Sequence, residues 1–402
     1  MNQRQKGCWK SGSNGKAMLK LLSKTVTPLA KITEADAIVR RITDDPSFPL
    51  AFRQQEYFVV RNGSSLVPPG FAGYFFFETP QNEAPTNSFL LEPALSYLST
   101  GDIVKIHPQH NFLRTLYRRS SEHNSFLVTE RCNNLCLMCS QPPREEDDSY
   151  MIGDVLQMVP LMSPQTKSVG ITGGEPTLLG ERLLEIIRCL KSNLPSTAVH
   201  ILSNGRAFKE WDFADAVAKV CHHDLMIGIP LYSDISSIHD YIVQADGAFD
   251  DTIRGIINLK SVGVRVEIRT VLHKLTYARL PTLARFIRRN LTFCDHVALM
   301  GLELTGFTKT NLEKLWVDPK DYQNQLREAT RMLDEARIIV SVYNHQLCVL
   351  DPETVPFNRR SISDWKNEYM PECEGCTRKV DCGGFFSSSK LRYSSHIKPF
   401  RN

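Results

Sequence analysis

Cys132, Cys136 and Cys139 stand at CxxxCxxC spacing in the run Val-Thr-Glu-Arg-Cys-Asn-Asn-Leu-Cys-Leu-Met-Cys that ends at residue 139. Three thiols this close in sequence form a ligand set for a metal. A [4Fe–4S] cube has four corners and usually takes four Cys thiolates, so a loop offering three leaves one iron open to a small molecule. That open iron is a place for chemistry. The competing reading is structural zinc, which prefers four closed ligands, commonly supplied as CxxC pairs. The nearest spare ligand would be His123, whose spacing fits no zinc pattern, so the loop favours iron–sulfur.

Downstream, Lys167–Ile171 reads as a short strand, and Thr172-Gly173-Gly174-Glu175-Pro176 follows it directly. A Gly-Gly turn without β-carbons lets the backbone approach a ligand closely, so that its carbonyls accept from an ammonium group. Pro176 fixes the exit of the turn. Taken alone, Gly-Gly-Glu-Pro is equally an ordinary strand-to-helix turn. In this order after CxxxCxxC, the two motifs resemble those of the radical SAM family. The resemblance implies that the open iron chelates the amino and carboxylate groups of S-adenosylmethionine (SAM), and that the reduced cluster cleaves it to a 5′-deoxyadenosyl radical.

The same resemblance implies further SAM contacts. Ser203-Asn204-Gly205, at the end of the third strand, stands where polar side chains bind the ribose hydroxyls; it is also a common turn sequence. Arg269 stands where a basic residue pairs with the methionyl carboxylate, which suits a guanidinium; a solvent-facing strand arginine is the alternative. Met138 occupies a position that is usually aromatic and contacts adenine, and a thioether also packs on an aromatic ring. Gly173, Gly174 and Glu175 complete the expected cofactor-binding set. Glu303, Tyr232 and His345 lie near strand ends and are pocket candidates without an assigned role.

A second thiol set lies near the C-terminus as Cys373-Glu-Gly-Cys376, then Cys382-Gly383-Gly384. This resembles the core of the auxiliary-cluster extension, SPASM or its shorter Twitch form, found in radical SAM enzymes that modify peptides. Cys348 is the best candidate for a fourth ligand. The full SPASM pattern needs more cysteines, so one auxiliary [4Fe–4S] cluster is expected, with a Cys₄ zinc knuckle as the alternative. Cys189, Cys221 and Cys294 read as buried small apolar residues, and Cys8 as incidental.

These motifs need a scaffold, and the chain supplies a repeating one. From Ser125 to about Tyr343 a strand–helix alternation recurs about six times, with strands over Ser125–Thr129, Lys167–Ile171, Ala198–Leu202, Leu225–Leu231, Val264–Val271 and Val297–Leu304. A last strand is read over Ile338–Tyr343. Such βα repeats imply a parallel sheet with helices outside, and active sites in βα barrels lie where strands end. The expected fold is therefore α/β, a partial (β/α)₆ barrel over residues 125–343, with an open doubly wound sheet as the alternative. Residues 34–124 read as a small strand-rich domain, 344–390 as the auxiliary-cluster extension and 391–402 as a tail. Residues 1–33, basic and lacking a signal-peptide h-region, read as a flexible arm.

Composition adds limits. A length of 402 residues allows two or three domains, and 42% hydrophobic content is ordinary for a globular chain. A formal charge of +4 gives no reason to expect a nucleic-acid partner, and no apolar run is long enough for a membrane span. Clustered cysteines around an oxygen-sensitive cofactor point to the reducing cytoplasm. The stretch Asn124–Arg144, the segment Ser361–Tyr369 and the Cys-Gly-Gly-Phe-Phe ending are similar to the His-Xaa-Ser system radical SAM maturases. That resemblance implies a small peptide substrate rich in His-Xaa-Ser repeats, a second radical SAM protein as partner and an electron donor such as flavodoxin or ferredoxin. The rival readings are a molybdopterin-type nucleotide cyclase, whose Gly-Gly tail is absent here, and a non-catalytic module stapled by its clusters.

Overall fold

The computed structural model describes residues 24–34, 36–61, 67–360 and 368–401. Two sheets organise them. The first contains β1 (Lys24–Thr25), β2 (Thr27–Pro28), β3 (Ile38–Thr43), β4 (Glu56–Val60), β5 (Gly73–Phe76), β6 (Ser88–Leu90), β7 (Ile103–His107) and β8 (Phe112–Tyr117). Its order is β1-β8-β7-β3-β4-β5-β6-β2. β1 and β2 lie at opposite ends of that order, yet only Val26 separates them in the chain. One continuous extended segment therefore leaves β8 and joins β6, and it closes the sheet into a small barrel, which removes both sheet edges. Val26, Ile42, Tyr57, Val59, Phe75, Phe89, Val104, Ile106 and Leu113 fill its interior. Residues 24–28 are thus structural, which corrects the reading of 1–33 as one flexible arm; residues 1–23 lie outside the described residues.

The second sheet has seven strands, β9 (His123–Leu127), β10 (Ser168–Thr172), β11 (Ala198–Leu202), β12 (Leu225–Pro230), β13 (Arg265–Leu272), β14 (His296–Gly301) and β15 (Val340–Tyr343). They pair in chain order, every neighbour parallel. A doubly wound sheet reverses its strand order near the middle; this one never does. No pairing joins β15 to β9, so the sheet is a partial barrel. The helices between strands are α1 (Tyr150–Met158), α2 (Glu181–Asn193), α3 (Trp211–Lys219), α4 (Ser236–Val243), α5 (Ala248–Ser261), α6 (Leu280–Asn290), α7 (Phe307–Thr310), α8 (Leu312–Leu315) and α9 (Gln323–Glu335). The repeat pattern missed α4, which is short and shares its connection with α5.

Alternation along the strands separates two faces. Val169 and Ile171, Val199 and Ile201, Ile227 and Ile229, Val266 and Ile268, Val297 and Leu299 point outward into one continuous core beneath the helices. The opposite face lines the hollow of the barrel, and its residues on β10 and β11 stay partly exposed. The N-terminal barrel is fastened to this scaffold by a nearly buried Lys105–Asp154 ion pair at 2.5 Å, and Val39, Ile103, Leu116 and Tyr117 share the larger core. Among the described residues no helix is long and apolar enough to cross a membrane.

Candidate functional site

The loop after β9 carries Cys132, Cys136 and Cys139 to the C-terminal end of the parallel sheet. It is held from every side. Gly174 N–H donates to Thr129 O (2.9 Å) and Glu175 N–H to Arg131 O (2.8 Å), so the Gly-Gly turn and the cysteine loop run together as a short ladder. The glycines are required by that approach: a β-carbon at Gly173 would lie 2.4 Å from Thr129 O, and one at Gly174 2.1 Å from Arg131 O. Beyond these contacts, Asp148 Oδ2 accepts from Thr129 Oγ1 (2.7 Å) and Glu130 N–H (2.5 Å). Leu135 and Leu137 N–H donate to Val243 and Ile242 O at the end of α4, and Phe307 N–H at the start of α7 donates to Cys139 O. Asn311 and Thr308 side chains cap the carbonyls of Leu137 and Met138.

Glu175 is fully buried. Its Oε1 accepts from Thr177 N–H (2.9 Å), Thr177 Oγ1 (2.6 Å) and Ser203 Oγ (2.8 Å), and Oε2 accepts from Asn204 N–H (2.5 Å). The carboxylate thus ties the Gly-Gly turn to the turn after β11. Burial pushes its pKa up, against the pull of these hydrogen bonds. Ser203 Oγ also accepts from Gly205 N–H, and Asn204 bonds Asn133 Oδ1 in the cysteine loop at 2.6 Å. Both side chains are engaged within the protein, beside the cysteine loop. Arg206 adds a further strut, reaching Asn133 O (3.1 Å) and Asn134 Oδ1 (2.9 Å).

Arg269 lies inside the barrel, with a side chain 19% exposed, so it does not face bulk solvent. It pairs with Glu267 and touches Met300 Sδ at 3.3 Å. Glu267 Oε2 in turn accepts from His296 Nδ1 (2.6 Å), whose Nε2 meets Ser341 Oγ at 2.9 Å. Burial opposes the charge on Glu267, but His296, Arg269 and His200 outweigh it and pull the carboxyl down to about 2. A carboxyl lowered on folding stabilises fully above its unfolded value, and that stability is lost as pH falls through the folded one. Wild type should therefore lose stability between about pH 4.5 and 2, and Glu267→Gln should flatten that limb in urea-unfolding midpoints measured across pH. An equally steep limb in the variant would refute the network.

The C-terminal thiols also gather. Cys373 lies in the electrostatic field of Cys348, Cys382 and Cys376, and Cys348 in that of Cys382 and Cys376. The knuckle is folded by Cys373 N–H to Met370 O and Cys376 N–H to Cys373 O. Val349, Met370, Phe385 and Ile397 form a small core against Cys348 and Cys373. The chain end is not a loose tail, because Phe400 N–H reaches Cys376 Sγ at 3.4 Å and Thr377 N–H bonds Phe400 O. Residues 361–367 lie outside the described residues.

All seven motif cysteines are free thiols. Burial pushes Cys132 up to about 11 and Cys136 further, with neighbouring thiols adding to the rise in both. Such thiols become thiolates only when a bound cation pays for the charge, which is the donor chemistry an iron–sulfur cluster requires. Among the described residues no group of three or more Cys, His, Asp or Glu converges as ligands of a single metal ion. His123 is no fourth ligand, because it starts β9 at the far end of the sheet and bonds Ser168. His345 is buried and spent on Tyr322 Oη (2.8 Å) and Tyr343 O (2.7 Å). Cys221, expected buried, is exposed at a turn with φ 53°. Asp148, Arg206, Thr308 and Asn311, the braces of the loop, carry no sequence motif.

Residues 126–287 match the model of the Radical SAM superfamily. No curated protein matches the chain. Among solved structures, SuiB of Streptococcus suis bound to S-adenosylmethionine superposes with a TM-score of 0.50 at 16% identity, over 70% of this chain and 77% of that one. Another SuiB structure gives 0.44 at 17% identity over 57% of this chain, which spans about half, 51%, of that protein. The native anSMEcpe with bound AdoMet and Cp18Cys peptide gives 0.47 at 16% identity, over 68% and 92%. Residues 126–287, the part of the partial barrel that brings the cysteine loop and the Gly-Gly turn to one mouth, form a domain of the Radical SAM superfamily, whose members use a [4Fe–4S] cluster and SAM.

Proposed function

We propose that this enzyme modifies a small ribosomally made peptide, of the His-Xaa-Ser repeat type, at a SAM site whose cluster is held by Cys132, Cys136 and Cys139. The observation that carries the reading is the ladder between the cysteine loop and Gly173–Glu175, which holds both halves of the site together. When bound, the cluster and SAM supply a 5′-deoxyadenosyl radical that takes a hydrogen atom from substrate. The chain's own residues position and shield that event. Gly173 and Gly174 would present backbone to the methionyl ammonium, Arg269 would pair with its carboxylate, and Met138 would pack on adenine. Glu175, Ser203 and Asn204 form the brace that sets the ribose side.

Cys348, Cys373, Cys376 and Cys382 are proposed to hold one auxiliary [4Fe–4S] cluster. Cys348 and Cys373 packed on one small core of Val349, Met370, Phe385 and Ile397, in electrostatic reach of Cys376 and Cys382, support it. An extension of this kind and the likeness of residues 124–144 to peptide maturases favour a peptide substrate, a second radical SAM protein as partner, and flavodoxin or ferredoxin as electron donor. The test is anaerobic incubation of reconstituted protein with SAM, dithionite and a synthetic His-Xaa-Ser repeat peptide. The expected result is 5′-deoxyadenosine together with a SAM-dependent change in peptide mass. Deoxyadenosine with an unaltered peptide would sink the substrate reading and leave the SAM chemistry standing.

A further inference from the structure

One polar group at the mouth of the barrel has no role in the account above. Tyr232 lies just beyond the end of β12, where Leu231 N–H donates to Arg269 O and Leu231 O accepts from Thr270 Oγ1. Its ring is clamped in place. It stacks on His239 with centroids 5.8 Å apart and planes at 26°, and it meets His273 at 6.5 Å. Its own N–H donates to His239 Nδ1 at 3.3 Å. The ring belongs to the buried cluster that includes Leu137 and Met138 of the cysteine loop, with Cys136 packed against that cluster. Cys136, Cys139 and Arg269 act on its hydroxyl electrostatically.

Tyr232 is only 8% exposed, its hydroxyl makes no hydrogen bond among the described residues, and that hydroxyl keeps part of the little surface the residue retains. A buried phenol normally finds a partner. A rigidly held one without a partner, beside the thiols of the SAM site, is available to whatever occupies that site.

We propose that Tyr232 is a catalytic residue, a hydrogen-atom donor to the carbon radical formed when SAM is cleaved with no peptide in reach. The proposal rests on the radical SAM reading above. The O–H bond of Tyr232 breaks and a C–H bond forms at the 5′ carbon, giving 5′-deoxyadenosine and a neutral phenoxyl radical. The phenoxyl then takes one electron from the reductant that feeds the cluster and one proton from water, which restores the phenol. The transfer runs downhill because a phenolic O–H bond is weaker than the alkyl C–H bond it makes. Tyr232 thereby spares the strands and side chains of the barrel from attack during an idle turnover.

The test is dithionite-driven SAM cleavage without peptide in D₂O, in buffer free of added thiols and glycerol. Wild type is expected to give 5′-deoxyadenosine carrying one deuterium, drawn from the exchanged O–D, and Tyr232→Phe product is expected to fall to natural abundance. Isotope content per molecule of product is read, so a slower variant does not blur the result. Deuterium absent from the wild-type product, or retained in the Phe variant, overturns the proposal, and retention would assign the donor to a thiol. A second measurement uses wild type alone: freeze-quenched electron paramagnetic resonance should show a phenoxyl signal that narrows when the enzyme is grown on ring-deuterated tyrosine. No such signal during turnover overturns the proposal as well. A cluster-loaded wild type that forms no deoxyadenosine would overturn the radical SAM reading itself, a result distinct from unlabelled product.

Discussion

Glu175→Ala should destabilise the protein by about 3–5 kcal/mol, because three buried residues lose the acceptor for their donors and a cavity is left behind. Thr177 gives two of those hydrogen bonds, Ser203 one and Asn204 one. No water reaches a side chain with zero exposure to replace them. The loss has a functional side, since the same carboxylate ties the Gly-Gly turn to the Ser203–Asn204 turn. SAM affinity should therefore fall along with the unfolding midpoint in urea. Glu175→Gln keeps the shape and the three bonds to one oxygen but sets an amide N–H₂ against Asn204 N–H, a cost of about 1–3 kcal/mol. A Gln variant as damaged as the Ala variant would mean that the charge, not the acceptor geometry, holds the brace.

Gly174→Ala should abolish assembly of the SAM-site cluster while the protein stays folded. The added β-carbon would sit 2.1 Å from Arg131 O and 2.5 Å from Arg131 C, both backbone atoms of the cysteine loop. Backbone cannot swing aside as a side chain does, so the loop itself must move, and overpacking of this kind costs about 1–3 kcal/mol or more. Gly153→Ala is the matched control. It lies in α1 with open space where its β-carbon would go, and it should be neutral or stabilising by about 0.5–1 kcal/mol. Iron content and urea midpoints on the two variants check both expectations; a Gly174→Ala protein that binds iron as wild type does would refute the clamp.

The motifs were legible because their chemistry is local. A CxxxCxxC run and a Gly-Gly-Glu-Pro turn each fit within a few residues, and the strand–helix alternation from β9 to β15 is written in plain periodicity. The sequence also suggested why the turn needs glycine, but only half of the reason. Close approach to a ligand was the expectation; the structure adds that Gly173 and Gly174 are pressed against the backbone of Thr129 and Arg131. What could not be read was long-range. The closure of the N-terminal barrel depends on residues 24–28 bridging β8 and β6, a pairing that no local pattern announces. The Glu267–His296–Ser341 chain joins three neighbouring strands and becomes visible only once the register is known. Asn133, Arg206 and Asn311 look like ordinary loop residues until the loop they fasten is seen.

Iron and sulfide analysis of the anaerobically reconstituted protein, made beside a Cys132/Cys136/Cys139→Ala variant, tests the central claim most directly. Two [4Fe–4S] clusters require about eight irons in wild type and about four in the variant, with reductive SAM cleavage lost in the variant alone. A variant that keeps the wild-type iron content, or a fully loaded wild type that leaves SAM intact, would contradict the account.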